Sequence, residues 1–195
     1  MVLKLPGTTI QAKVSGIEEV DALFSSMFLG GGLMLSQVSQ VTGLEPYRIQ
    51  NWVKRGFLSP PEKKRYTRRQ LSRILVINML KDSLQLERIC GLLSYVNGKL
   101  YDEGDDIIDD SKLYLDIVRV LLRLETQVPL GAGDLEPMCR EVLADYQEPE
   151  PGDRERVLEA LQIILMAYLS AQLKHGAEAR LSALVEQNGE EGTEK

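Results

Sequence analysis

The chain has 195 residues, of which 44% are hydrophobic, so it is long enough and apolar enough to bury one or two cores. Its formal net charge is −6, and it contains two cysteines and one histidine. These counts exclude a disulfide-rich secreted scaffold and give no zinc-ligand spacing. An overall acidic chain can still meet an anionic partner, because partners respond to local fields rather than to net charge.

The basic residues are concentrated in one segment. Residues 45–88 hold eleven Lys and Arg against four Asp and Glu. This segment therefore carries a formal charge of +7, and the rest of the chain carries −13. The asymmetry indicates that this segment meets something anionic.

The N-terminal part predicts little regular structure before its first helix. Residues 1–16 show no hydrophobic period and no signal-peptide core, so we expect an arm or loop. Ile17–Leu29 has apolar residues at spacings of three and four, which predicts an amphipathic helix. The three glycines that follow are expected to end it.

Two short helices and a basic loop follow. Apolar residues predict one helix from Leu35 that stops at Gly43, and a second from Pro46 to Gly56 with Ile49 and Trp52 on its inner side. Residues 57–66 contain two consecutive prolines and a basic run, which predicts a loop or ribbon. Thr67 is a good N-cap for the next long helix, and a short helix is expected from Gln85.

The second half of the chain predicts further helices. A helix capped by Ser111 should run to Leu124, and breaks are expected at 129–133 and at 148–152. The remaining expected elements are helices at 134–146, 154–174 and 177–187. Val157–Leu173 is interrupted by Glu159 and Gln162, so we do not expect it to span a membrane.

These patterns predict an all-α fold with at most a small β wing. No alternating run is long enough for a larger sheet. The expected organisation is an N-terminal arm and helix (1–32), a helix-turn-helix unit (33–97), an acidic linker with helices (98–147), a C-terminal helical region (153–187) and a disordered tail (188–195).

Residues 35–94 resemble the DNA-binding domain of MerR-type regulators. The resemblance is carried by LSQVSQVTGL, QNWVKRGFLSP, RYT and LERICGLL, and the register holds without a gap from Leu35 to Pro60. It implies a winged helix-turn-helix followed by a C-terminal helical region. The sequence departs from the family at Gln50-Asn51-Trp52, where the family has Arg-Tyr-Tyr, and its wing is shorter. Residues 17–125 also resemble the bacterial domain-of-unknown-function family 1836, for which no target is established.

The expected DNA contacts follow from this register and from side-chain chemistry. Arg, Asn and Gln can pair bidentately with base edges in the major groove, and Lys and Arg suit phosphates. The predicted base contacts are Tyr47, Arg48, Gln50 and Asn51. The predicted phosphate contacts are Lys54, Lys63, Lys64, Arg65, Arg68 and Arg69.

The acidic stretch Asp102–Asp116 holds seven acids against one Lys. It can point into solvent, or it can lie against the basic segment and compete with DNA. We expect the first, because such a stretch is usually solvated. The run DDIIDD within it lacks the glycine and the spaced ligand pattern of a calcium loop, so no metal site is expected.

No enzymatic activity and no cofactor are expected. His175 stands alone as a general-base candidate, and no phosphate-binding loop or nucleophile motif occurs. The cysteines, Cys90 and Cys139, are expected to be reduced thiols in a cytoplasmic protein.

The favoured function is a sequence-specific, DNA-binding transcriptional regulator that acts on double-stranded DNA as a homodimer, without a membrane. Leu113–Leu124 or Val157–Leu173 would serve as the dimer helix, unless both pack within one chain. The alternatives are a protein-interaction module that has lost DNA binding and an excisionase-like architectural protein. The DNA target, the sign of regulation and any effector are not predicted.

Overall fold

A computed structural model describes residues 2–98, 100, 103–124 and 135–191, with side chains described up to residue 183. Within these residues the fold is all-α with two small two-stranded sheets, as the sequence predicts. The helices in chain order are α1 (Ile17–Met27), α2 (Leu35–Thr42), α3 (Pro46–Lys54), α4 (Arg68–Leu80), α5 (Leu86–Asn97), α6 (Asp110–Leu124), α7 (Leu135–Val142) and α8 (Asp153–Glu191). The strands are β1 (Val2–Lys4), β2 (Gln11–Lys13), β3 (Leu33–Met34) and β4 (Arg65–Tyr66).

The N-terminal residues form a hairpin rather than the expected arm or loop. β1 and β2 pair antiparallel, and Leu5 at the start of their connection is fully buried. The hairpin is tied to the helices because Tyr114 Oη donates to Pro6 O at 2.9 Å and Asn78 Nδ2 donates to Gly7 O at 2.8 Å. Strands of three residues are too short to show a period of two, so no strand pattern was detectable in these residues.

Helix α4 lies at the centre of the fold. Thr67 caps it as predicted, since its hydroxyl accepts from Gln70 N at 3.2 Å while Gln70 Oε1 accepts from Thr67 N at 2.9 Å. This reciprocal pair satisfies two donors at the helix start. All but the ends of α4 are buried, and it packs against α2, α5, α6 and α8.

One cluster of buried apolar side chains runs from Leu5 to Leu165. The predicted segments 1–32, 33–97, 98–147 and 153–187 therefore all contribute to a common core. Both candidate dimer helices are used in it: α6 buries Leu113, Ile117 and Leu121, and α8 buries Val157 and Leu161. Their apolar faces pack within the chain, which is the alternative that the sequence left open.

Helix α8 is continuous, although the sequence predicted two helices separated at Gly176. A glycine inside a helix costs only about 1 kcal/mol, and the alanines and glutamate after it favour helix. The helix also extends to Glu191, beyond the expected start of the tail at 188, and residues 192–195 lie outside the described residues. The predicted break at 129–133 lies outside them too.

Part of α8 is apolar enough for its length to be a membrane-span candidate. Among the described residues, Asp153–Ala183 meets this criterion, with a mean hydropathy of 1.3 over its qualifying window. The core helix of a soluble protein meets the same criterion, and 39% of that window is buried inside the fold. This is weak evidence for a membrane segment.

Candidate nucleic-acid interface

Helix α3 presents a polar outer face. Pro46 occupies its first turn, where the missing N–H would be unpaired in any case. Ile49 is fully buried and Trp52 is 7% exposed, so both face the core as predicted. The five predicted contact residues on this helix are all exposed: Tyr47, Arg48, Gln50, Asn51 and Lys54.

The turn between α2 and α3 fixes their relative orientation. Gly43 adopts φ 70°, the left-handed conformation that ends α2, and its N–H donates to Ser39 O at 2.8 Å. Asn78 of α4 donates to Thr42 O at 2.9 Å, and Thr42 Oγ1 donates to Val38 O at 2.8 Å. These bonds attach the pair of helices to α4, so α3 is held on a rigid support.

A short wing follows α3. β4 pairs antiparallel with β3, and Arg65 N donates to Glu62 O at 2.8 Å to close a four-residue turn. Its central residues, Lys63 and Lys64, have φ values of 46° and 65°. Both left-handed values are what a type I′ turn requires, and such turns ordinarily use Asn-Gly.

The turn therefore carries backbone strain at two exposed lysines. A residue with a side chain in the left-handed region costs on the order of 1 kcal/mol or more, and such strain is concentrated at functional sites. The side chains of Lys63 and Lys64 form no ion pair or hydrogen bond with any described residue. The same holds for the side chain of Lys54 on α3.

The base of the wing is held by α4. Gln70 Nε2 donates to Ser59 O at 3.1 Å and to Pro60 O at 2.9 Å. Arg73 Nε donates to Phe57 O at 3.1 Å. The loop leaving α3 is thus bonded to buried side chains, which positions the turn at its tip.

One predicted base contact and the wing border a common groove. This apolar groove has a volume of about 450 Å³, and it is lined by residues of α3, the wing and the start of α2. Gln50 and Lys64 both border it, so the structure brings these two predicted contact residues together. Arg48 and Asn51 border a second groove, of about 610 Å³, together with Lys81.

Three of the predicted phosphate contacts are already bonded within the chain. Arg65 Nη1 donates to Gly32 O at 2.9 Å. Arg68 forms an ion pair with Asp21 of α1 and donates to Ser25 Oγ at 3.0 Å. Arg69 forms an ion pair with Asp106. Sequence reasoning missed these partners because Asp21 and Asp106 are distant along the chain and carry no pattern that points to α4.

The expectation that the acidic stretch points into solvent is wrong for three of its described aspartates. Asp106 and Asp110 face arginines of α4, and Asp116 is buried beside Lys112 and Arg119 of its own helix. Asp106 and Asp110 have side chains only 8% and 2% exposed. Arg69 Nε lies 3.6 Å from Asp110 Oδ2, and Arg73 Nη1 lies 3.5 Å from Asp110 Oδ1. We call residues 105–110 the docked acidic segment.

Burial governs the electrostatics of the docked acidic segment. It raises the pKa of Asp106 to about 6, against the opposing effect of Arg69, and it raises the pKa of Asp110 despite Arg73 and Arg69. The exposed Asp109, rather than the predicted Ser111, caps α6, because its Oδ1 accepts from Ser111 N at 2.7 Å. The segment therefore both starts α6 and neutralises two arginines of α4.

Nothing in the described part of the chain assembles a metal site or a reactive thiol. No group of three or more His, Cys, Asp or Glu there could hold a metal ion. Cys90 and Cys139 are separate buried thiols, and burial raises their pKa values to about 11 and about 12. Thiols in this state are poor nucleophiles at neutral pH.

Residues 31–117 match the model of a family described as a domain of unknown function (DUF1836). The match begins just before β3 and ends within α6, so it includes α3, the wing and the docked acidic segment. No curated protein matches the chain, and no solved structure matches it.

Proposed function

We propose that the chain is a sequence-specific, DNA-binding transcriptional regulator with a MerR-like winged helix-turn-helix. In this proposal α2 and α3 form the helix-turn-helix, and α3 enters the major groove of double-stranded DNA. The turn of residues 62–65 is the wing and contacts phosphates. The proposal involves no catalytic step, cofactor or metal.

The observation that carries the proposal is the pair of strained, exposed lysines at the wing tip. A turn that needed only to connect two strands would be more stable with Asn-Gly at these positions. Lys63 and Lys64 instead place two ammonium groups at the end of a braced ribbon, with no counter-ion among the described residues. A cost in stability that gains nothing for the fold is best explained by binding to an anion.

The side chains on α3 supply the chemistry for reading sequence. Arg48 can pair bidentately with guanine, and Gln50 and Asn51 can do so with adenine. Tyr47 lies beside Arg48, whose Nε donates to Tyr47 Oη at 3.4 Å. Because Gln50 and Lys64 border one groove, the helix and the wing can engage the same duplex.

Arg68 and Arg69 enter this proposal differently from the lysines. Each is paired with an aspartate, so a phosphate must displace a carboxylate before either can contribute. Lys54, Lys63 and Lys64 can bind phosphates without such an exchange. Arg65 has no carboxylate to displace among the described residues, because it donates to the backbone carbonyl oxygen of Gly32, but it must give up that hydrogen bond to bind a phosphate.

A homodimer in the cytoplasm is part of the proposal, because one module of this size reads only a few base pairs. Since α6 and the first half of α8 are packed inside the chain, the surface left for pairing is the second half of α8. Its side chains from Gln172 to Ala183 are exposed, including those of Leu173 and Leu181. Light scattering that gives a monomer mass at micromolar concentration would contradict the dimer.

The function is tested by random-sequence selection with the whole chain, followed by binding titrations of the selected duplex at several salt concentrations. We expect a defined motif. Lys63→Gln with Lys64→Gln should weaken binding to all sequences and reduce the slope of log K against log salt by about 0.9 per lost phosphate contact. The matched control, Lys4→Gln with Lys13→Gln, removes two exposed lysines outside the proposed DNA and dimer surfaces and should leave the slope of log K against log salt unchanged.

The outcomes separate the competing functions. A chain that binds no duplex at low salt would contradict the proposal and favour a protein-interaction module. A selected motif located at promoters supports the transcriptional regulator. A motif located at recombination attachment sites supports an excisionase-like architectural protein instead.

A further inference from the structure

The loop between α1 and β3 carries the most exposed large apolar side chain among the described residues. Leu29 is 87% exposed, and it is followed by Gly30, Gly31 and Gly32. A single exposed leucine has no meaning by itself, because folded proteins expose many apolar atoms. What matters here is how the loop is held and which residues surround it. We call residues 28–32 the Leu29 loop.

The Leu29 loop is fixed to the wing at its C-terminal end. Arg65 donates to Gly32 O, and a Cβ atom on Gly32 would lie 3.0 Å from both Arg65 Cβ and Tyr66 O. With a φ of 110° as well, this position accepts glycine and little else. At the other end, Gly31 N donates to Phe28 O at 3.0 Å. Leu29 is therefore presented on a closed turn attached to β4.

A basic groove separates the Leu29 loop from the wing tip. It has a volume of about 350 Å³, and its lining includes Phe28, Gly31, Lys63, Arg65 and Arg68. Lys64 and Tyr66 border the groove shared with α3, whereas Lys63 and Arg65 border this one. The wing thus lies between two grooves, and basic side chains of the wing border both.

We propose that the Leu29 loop is a second DNA-contacting element, which places Leu29 in the minor groove flanking the site read by α3. This inference rests on the proposed function. The sugar–phosphate backbone occupies the groove between loop and wing, where Lys63 and Arg65 face its phosphates. Leu29 contacts the deoxyriboses and base edges beyond that strand.

The chemistry of this surface favours DNA as the molecule that binds there. Proteins that bind the minor groove commonly insert Leu, Phe, Ile or Met beside basic residues that hold the backbone. Lys63, Arg65 and Arg68 line the groove against one acid, Glu62. Although Arg68 is paired with Asp21, the groove keeps a net positive charge, which is complementary to a phosphate backbone. The glycines let the DNA backbone approach the loop closely, because they have no side chains to displace.

The experiment compares two duplexes that carry the same selected motif. The short duplex ends at the motif, and the extended duplex adds flanking base pairs on both sides. We expect the whole chain to bind the extended duplex more tightly than the short one. Leu29→Ala should weaken binding to the extended duplex about tenfold and should bind the short duplex as tightly as the wild type does. Met166→Ala is the matched control, since Met166 is 40% exposed on the first half of α8, outside the proposed DNA and dimer surfaces, and it should leave the ratio of affinities for the two duplexes unchanged.

A second readout tests the contact directly. With 2-aminopurine in the flanking steps, wild-type binding should change its fluorescence, and Leu29→Ala should abolish the change. If the wild type binds both duplexes with a defined motif but Leu29→Ala alters neither affinity nor fluorescence, the Leu29 loop is not a DNA contact and the proposed function stands. If the wild type binds no duplex, both proposals are overturned, and the loop is then a surface for another macromolecule.

Discussion

At the scale of single residues, the outer face of α3 decides which bases the protein can read. Arg48→Ala and Asn51→Ala should each weaken binding at particular positions of the selected motif, because a bidentate contact to a base contributes about 1–3 kcal/mol. Both residues are exposed, so the variants should unfold like the wild type. Selection repeated with the double variant provides the measurement. An unchanged motif with unchanged affinity would show that another face of α3 meets the DNA.

Lys63 and Lys64 should show opposite effects on stability and on binding. Replacing them with Asn and Gly supplies the residues that the left-handed backbone favours, so the free energy of unfolding should rise by about 1 kcal/mol. The same change removes two ammonium groups and should weaken binding to every duplex. Urea unfolding and binding titrations on the same sample measure both. A variant that is neither more stable nor weaker in binding would contradict the role given to this turn.

At the scale of elements, the docked acidic segment should make stability depend on pH. The pKa of Asp106 is about 6 in the folded chain, above that of an exposed aspartate. A raised pKa means that protonated Asp106 favours the folded state, and that this stabilisation is lost as the pH rises from about 4 to about 6.

Asp106→Asn imitates the protonated carboxyl and should remove this part of the pH dependence. Urea unfolding between pH 4 and pH 7.5 should give a flatter profile for the variant than for the wild type. Asp145→Asn, at an exposed position outside the docked acidic segment, is the control and should keep the wild-type profile. Identical profiles for all three proteins would mean that Asp106 is not buried in its ionised form.

The docked acidic segment should also affect DNA binding. Asp106→Asn removes one of the carboxylates paired with Arg69, while Asp110 remains, so the arginine is held less firmly and binding to phosphates should tighten at low salt. The gain should disappear as salt screens both interactions. An equal gain from Asp145→Asn, at an exposed position outside the docked acidic segment, would show that only net charge matters and that Arg69 takes no part.

Several features of these elements were predictable from the sequence because they depend on local chemistry. Thr67 as an N-cap, Gly43 as a helix end and Trp52 on the inner face of α3 all follow from rules that involve a few neighbouring residues. The docking of Asp106 on Arg69 was not predictable in this way. It depends on how α6 packs on α4, which brings together charges that are 37 residues apart.

At the scale of the whole molecule, the region that matches the family model is not expected to fold alone. The face of Tyr114 is covered by Phe24, with ring centroids 5.3 Å apart, and Leu5 is fully buried, yet Leu5 and Phe24 lie outside residues 31–117. A fragment of residues 31–117 should therefore lack a cooperative urea transition, whereas the whole chain should show one. A cooperative transition in the fragment would mean that the core folds without α8 and the hairpin.

The continuity of α8 has a consequence for how the size of the molecule is measured in solution. A helix of 39 residues is about 58 Å long, and its exposed stretch Gln172–Ala183 accounts for about 18 Å of that length. A rod projecting from a compact body increases friction without adding mass. Even a monomer should therefore elute early from a sizing column and sediment slowly for its 21.9 kDa. Only methods that measure mass, such as light scattering, can determine its oligomeric state, because elution and sedimentation depend on shape as well as on mass.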